Sequence, residues 1–226
     1  MIFVRFAVVI VLLVLLFSNN LVFVKDIFSS LNIKNENEKL ALENDSLKTE
    51  LYIAENMSGK EINEGQWEYF SAKIFSTYPF NDQNLISIAN GEISGVQKDQ
   101  PVAAAPGILL GRIIEVNKNT ALVRTIFDKD FVAAVKIGEN KINALLKGGV
   151  PPVLEMIEKS KTVKNGDIVY NADKNFPYGF KLGEIQVIGS KTADTAGLFQ
   201  KALLKINYNL VSLEDVLVIK NFIPLK

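Results

Sequence analysis

Neither cysteine nor histidine occurs anywhere in the 226 residues. Without histidine there is no Ser-His-Asp triad and no imidazole general base. Without cysteine there is no thiolate nucleophile, no disulfide and no Cys/His zinc site. An excess of one charge is missing too: 25 lysines and arginines stand against 25 aspartates and glutamates, with no basic run. Phosphate binding needs a Lys/Arg-rich face, so nucleic acid is not an expected partner. A chain of this size without disulfides is held together by its core alone, which its length allows.

The chemistry left open is carboxylate catalysis, Ser-Lys pairs and oxygen-ligated metals. The pairs Asp128/Asp130 and Glu155/Glu158 sit in charged turns or strand ends and read as solvated. Ser94 with Lys98 and Ser160 with Lys161 are neighbours in polar turns, where a lysine lacks the burial that would make it a base. The glycines of Gly107–Gly111 lack the G-x-x-x-x-G-K-S/T pattern of a phosphate loop, and the segment reads as strand interior. No catalytic residue, cofactor or metal ligand is therefore expected, and the chain reads as a non-enzyme.

What is present begins with an apolar run from Phe6 to Phe17, interrupted at Ser18-Asn19-Asn20 and resumed from Leu21 to Val24. Counted to Val24 it is roughly 19 residues, enough for a ~30 Å hydrocarbon core. Counted only to Phe17 it has the length of a signal-peptide core, yet no small-x-small cleavage site follows it. Arg5 supplies the early positive charge that keeps the N-terminus inside. The expectation is a cytoplasmic tail over 1–5 and a single transmembrane helix over 6–24. The bulk then lies in the periplasm or outside the cell.

A short coiled coil is expected over 25–58. Ile33, Leu40, Leu47 and Ala54 recur every seven residues as d positions, with Asn37, Asn44 and Leu51 at a. Apolar d with asparagine at a fixes register and oligomer state. The same stretch would also suit a solvated helix lying on its own globular domain. Residues 59–66 are polar with two glycines and read as a linker.

From about Trp67 helical periodicity gives way to short β-prone runs punctuated by Gly, Pro, Asn and Asp. Such runs without intervening helices mean antiparallel barrels or sandwiches. A weak internal repeat pairs Val96-x5-Val102 and Gly111-Arg112-Ile113 with Val163-x5-Val169 and Gly183-Glu184-Ile185. Two related small barrels follow from it, with the seam placed at Lys147–Pro152. The expected fold is thus mainly β. It consists of a transmembrane helix and short coiled coil, then antiparallel β-barrels over 67–147 and 148–226, with the last strand free to return to the first.

These blocks, in this order, resemble the rod shape-determining protein MreC family. LISIANGEISGVQKDQPVAAAPGILLGRIIEV resembles its strand–turn–strand block, matching at Asn90, Gly91, Gly95, Val96, Pro101, Val102, Gly107, Leu109, Gly111 and Arg112. Gln100 stands where the family has a glycine-type turn. VKNGDIVYNADKNFPYGFKLGEIQVI resembles a second block, matching at Val163, Gly166, Asp167, Val169, Phe176, Pro177, Gly179 and Gly183. Ile126-Phe127-Asp128 and Leu213 to Ile219 fall where the family has an I-T-D and a closing strand.

The resemblance implies a scaffold for cell-wall elongation and rod shape, dimeric or more highly self-assembled. It also implies MreD, MreB and peptidoglycan synthases, a SEDS glycosyltransferase and a class B penicillin-binding protein, as partners. A periplasmic adaptor of an efflux or secretion system is the rival, disfavoured by a short, single coil directly after the anchor.

Overall fold

The computed structural model describes residues 33–34, 36–51, 67–76, 84–186 and 198–222. The chain divides into two units, Met1–Leu40 and Ala41–Lys226. In the first, residues 33, 34 and 36–40 are helical. The second opens with helix over 41–51 and continues into strands. Among the described residues no helix is long and apolar enough to cross a membrane, and the expected anchor over 6–24 lies outside them.

The described residues form twelve strands, β1 (Glu68–Ser76), β2 (Leu85–Ile88), β3 (Pro101–Ala105), β4 (Ile108–Val116), β5 (Ala121–Thr125), β6 (Val132–Ile137), β7 (Ile142–Lys147), β8 (Val153–Glu158), β9 (Ile168–Asn171), β10 (Lys181–Gln186), β11 (Phe199–Lys205) and β12 (Asp215–Asn221). Their two-residue period shows in β5, where Ala121, Val123 and Thr125 are buried and Leu122 and Arg124 are not. β6 repeats it with Ala133, Val135 and Ile137 inward. Each side chain so buried contributes about 1.5–3 kcal/mol for a Val, Leu or Ile. A charged residue at Val123 or Val135 would therefore break its barrel.

The pairings close two six-stranded barrels. In one the order is β4-β3-β12-β1-β2-β5, and β5 pairs back onto β4. In the other it is β11-β8-β7-β6-β9-β10, and β10 pairs back onto β11. Among the described residues closure leaves no unpaired sheet edge. The barrels meet where β10 runs parallel to β4, with Lys181 opposite Ile108.

The expected division at Lys147–Pro152 is not where the barrels part. β7 and β8, on either side of it, pair as neighbours in one barrel through Leu145–Lys147 and Val153–Glu155. The division falls between β5 and β6. Physically, the diproline segment is a hairpin connection, and turn residues alone do not distinguish a hairpin from a domain boundary. β12 pairs with β1 and β3. Gly107 is likewise a turn residue with φ of 75° rather than strand interior.

The internal repeat is a repeat of hydrogen bonds. Asp99 N donates to Ile113 O and Ile113 N to Gln100 O, both at 2.9 Å. In the second barrel Gly166 N donates to Ile185 O at 2.9 Å and Ile185 N to Asp167 O at 2.8 Å. Even the side-chain cap recurs, since Gln100 Oε1 accepts from Gln97 N and Asp167 Oδ2 from Lys164 N.

Candidate functional site

The helix over 41–51 carries two faces with different roles. Leu42, Asp45, Ser46 and Thr49, spaced i, i+3, i+4 and i+7, are the residues shielded from solvent. Leu42 packs on the core, and Ser46 and Thr49 are buried. Asn44, Leu47 and Leu51 lie on the opposite side and are exposed.

The shielded face is fastened by polar contacts. Ser46 Oγ donates to Pro106 O at 2.6 Å. Thr49 lies over Gly107, where a Cβ would stand 3.0 Å from Thr49 Cγ2. The Lys181 ammonium, 4% exposed, reaches Asp45 Oδ2 at 2.8 Å and Glu184 Oε1 at 3.0 Å. Asn207 Nδ2 donates to the same two carboxylates, at 3.0 and 2.7 Å. A buried ammonium is tolerable only when paired in this way. The cluster ties the helix to β10 and to the β11–β12 connection, close to where the barrels meet.

The expected coil positions among the described residues face solvent. Ile33, Leu40, Leu47 and Leu51 are 59%, 55%, 56% and 63% exposed, and Asn37 and Asn44 are exposed as well. Ala54 lies outside the described residues, as does the 59–66 linker.

The motif positions form turns and close approaches. Asn90 is half-buried and leads into Gly91, where a Cβ would meet Asn117 O at 2.2 Å. Gly95, Gly166 and Gly179 have φ of 79°, 85° and 81°, a region that favours glycine. Val96 and Val102 are core residues, and Pro101 begins β3, where a strand tolerates proline. A Cβ at Gly111 would lie 2.0 Å from Arg124 O, and one at Gly183 2.4 Å from Lys205 O. Arg112 sits opposite Arg124 on β5 and Pro101 on β3. Phe176 packs on Phe131 with ring centroids 5.6 Å apart. Buried Asn171 donates to Phe176 O at 3.3 Å and to Pro177 O at 2.9 Å, holding that turn from inside.

The chemical candidates are occupied otherwise. Asp128 and Asp130 face Arg124 at 3.3 and 3.9 Å. Glu155 lies between Lys147 at 2.7 Å and Lys201 at 2.6 Å. Hydrogen bonds from Lys147 and then Lys201 hold its carboxyl below the ordinary value against the opposing effect of burial. Ser160 Oγ donates to Glu158 Oε2 at 3.3 Å. Burial pushes the Tyr208 phenol far above its usual range, and its hydroxyl donates to Leu109 O at 3.4 Å. Among the described residues no group of three acidic side chains could hold a metal ion.

Sequence reasoning missed Asp45, Ser46, Thr49, Asn171, Lys181 and Asn207. One signal was available: three short polar side chains at helical spacing opposite the leucine stripe mark a second, close-packed face. Nothing local distinguishes Lys181 or Asn207 from surface residues.

Comparison with known proteins places this geometry. A family model described as rod shape-determining protein MreC, barrel core, matches residues 74–220. The cell shape-determining proteins MreC of Bacillus subtilis (strain 168) and Geobacillus stearothermophilus are each 27% identical over 202 residues. Those alignments cover 83% of this chain and 66%, just under two thirds, of each relative. Among solved structures, MreC of Listeria monocytogenes aligns with a TM-score of 0.65 at 21% identity, over 86% of this chain and 97% of that one. MreC of Pseudomonas aeruginosa aligns at 0.55 and 25%, over 67% and 98%. A complex between penicillin-binding protein PBP2 and MreC from Helicobacter pylori aligns at 0.52 and 17%, over 69% and 99%.

Proposed function

The chain belongs to the rod shape-determining protein MreC family, and from that premise we propose that it is a membrane-anchored extracytoplasmic scaffold for cell-wall elongation and rod shape. The family match over 74–220, spanning both barrels, is the observation that carries this reading. In this reading residues 6–24 cross the membrane once with the N-terminus in the cytoplasm. The heptad positions Ile33, Asn37, Leu40, Asn44, Leu47 and Leu51, each exposed, pair two copies. Tethering in one membrane raises the local concentration enough to favour such a short coil.

The protein acts by presenting surfaces rather than by chemistry, in keeping with a sequence that has no histidine or cysteine. A class B penicillin-binding protein is the partner with the most support, because a structural relative was solved in complex with PBP2. MreD, MreB and a SEDS glycosyltransferase complete the proposed assembly on family resemblance. The test is a fluorescent fusion on the N-terminus, observed in rod-shaped cells while the native protein is depleted. Sidewall patches with rounding on depletion support the reading. Uniform membrane signal with unchanged shape and width overturns it.

A further inference from the structure

Outside the helix joint, a further unexplained surface lies on the outer wall of the second barrel. A depression of about 870 Å³ runs along β7, β8 and the start of β11. Its floor is apolar: half-buried Leu145, with Met156 and Phe199 exposed to 53% and 44%. Three features say that this is more than an incidental dent.

Met156 has φ of 60°, a left-handed backbone that costs an ordinary side chain about 1–2 kcal/mol. It sits in a β-bulge, where Glu155 and Met156 together oppose Lys201. A bulge re-aims a side chain, and here it turns a flexible thioether outward beside Phe199.

The depression is bordered by Lys141 and Lys161, which among the described residues have no ion pair. Nearby Lys147 and Lys201 differ, since both are ion-paired with Glu155. The carboxylate in the lining, Glu158, is engaged by Ser160 Oγ. Across the described residues 132–186 and 198–205, ten lysines stand against six carboxylates. This barrel is therefore cationic within a chain of balanced charge.

Because the strands are paired around the barrel, a partner cannot add a strand here and must be read by its side chains. We infer that this wall of the second barrel docks an extended segment of a partner protein in which apolar and acidic residues alternate. The apolar side chains cover Leu145, Met156 and Phe199, and the carboxylates meet Lys141 and Lys161. Charge complementarity of this kind sets specificity and association rate more than affinity, and it weakens with salt. The inference goes beyond the elongation role: that role is decided by cell shape, this one by peptide selectivity.

The experiment uses the full chain in detergent. Fluorescence anisotropy follows short labelled peptides of alternating leucine and glutamate, leucine and serine, or leucine and lysine. The glutamate peptide is expected to bind about tenfold more tightly than the serine peptide at low salt, and the lysine peptide least. Met156→Gly, which removes the side chain while suiting the left-handed backbone, should weaken the glutamate peptide about tenfold without loss of melting temperature. Joint Lys141→Glu and Lys161→Glu changes should invert the preference toward the lysine peptide. Equal binding of the three peptides, or variants that bind as the parent does, overturns the inference. So does capture on phosphatidylglycerol vesicles without peptide selectivity, which would make the surface a membrane contact. A change in sedimentation on Phe199→Ser would make it a contact between copies, and would also overturn it.

Discussion

Asp99 and Gly166 stand at the same place in two copies of one turn. Their φ values are 67° and 85°, and each donates its amide to an isoleucine carbonyl at 2.9 Å, Ile113 in one barrel and Ile185 in the other. Only the second copy uses the residue that this conformation favours, although aspartate is among the side chains that tolerate it. Gly166→Ala should therefore destabilise by about 1 kcal/mol, with open space around the new methyl group. Asp99→Gly should stay within about 0.5 kcal/mol of the parent, because relief of strain is offset by added freedom in the unfolded chain. Urea midpoints at unchanged slope measure both.

Gly111 and Gly183 are constrained by space instead. A methyl group at either would collide with a backbone carbonyl, Arg124 O or Lys205 O, which cannot rotate away. Alanine at Gly111 should cost about 2 kcal/mol or more, exceeding the cost at Gly166 although Gly111 has no positive φ. Equal midpoints for the two alanine variants would show that the strand pair relaxes.

Removing the Lys181 ammonium leaves Asp45 and Glu184 facing each other across Asn207. Lys181→Met should destabilise by about 3 kcal/mol, the scale on which one partner of a buried ion pair is lost. Hydrogen exchange should rise first in the helix over 41–51, with β6 and β7 amides still protected. Uniform loss of protection would mean that the joint and the barrels unfold as one unit.

On the other face of that helix, Leu47→Glu should leave the urea midpoint within about 0.5 kcal/mol of the parent, because Leu47 is exposed. If two copies pair through this stripe, the same change should shift sedimentation of the full chain in detergent toward monomer. An unchanged oligomer would remove the coil from the proposed assembly.

Glu155 gives the pH test. Its carboxyl is held below the ordinary value of 4.5 by Lys147 and Lys201. A depressed value in the folded state adds stability above the unfolded value, and that addition is lost as pH falls through the folded one. Glu155→Gln should therefore lower stability at neutral pH and converge on the parent in acid. Because the triad is at the surface, the gap should also narrow in salt. A gap that persists in acid would point to packing instead.

Much of the fold was legible because period-two burial writes itself into sequence, as in β5 and β6. β1 was not. Its inward residues Phe70, Ala72 and Ile74 alternate correctly, but outward Tyr69 and Phe75 are aromatic and erase the pattern. The seam was misplaced because Gly148-Gly149 and Pro151-Pro152 spell a turn without saying what the turn joins. The leucine stripe was visible from its seven-residue spacing. The Lys181 cluster was not, since Asp45 and Asn207 are brought together from 162 positions apart.

The place of β12 also sets an order of events. It lies between β3 and β1, so the barrel that holds β1 to β5 stays open until β12 has been made. The later barrel is built from consecutive strands, β6 to β11, and needs nothing beyond Lys205. As the polypeptide emerges, the part made first must wait, with the edges of β1 and β3 unsatisfied, while the part made second closes. That interval is when the chain is most open to strand-mediated mispairing. It makes β12 a late-arriving lock on the strands β1 to β5.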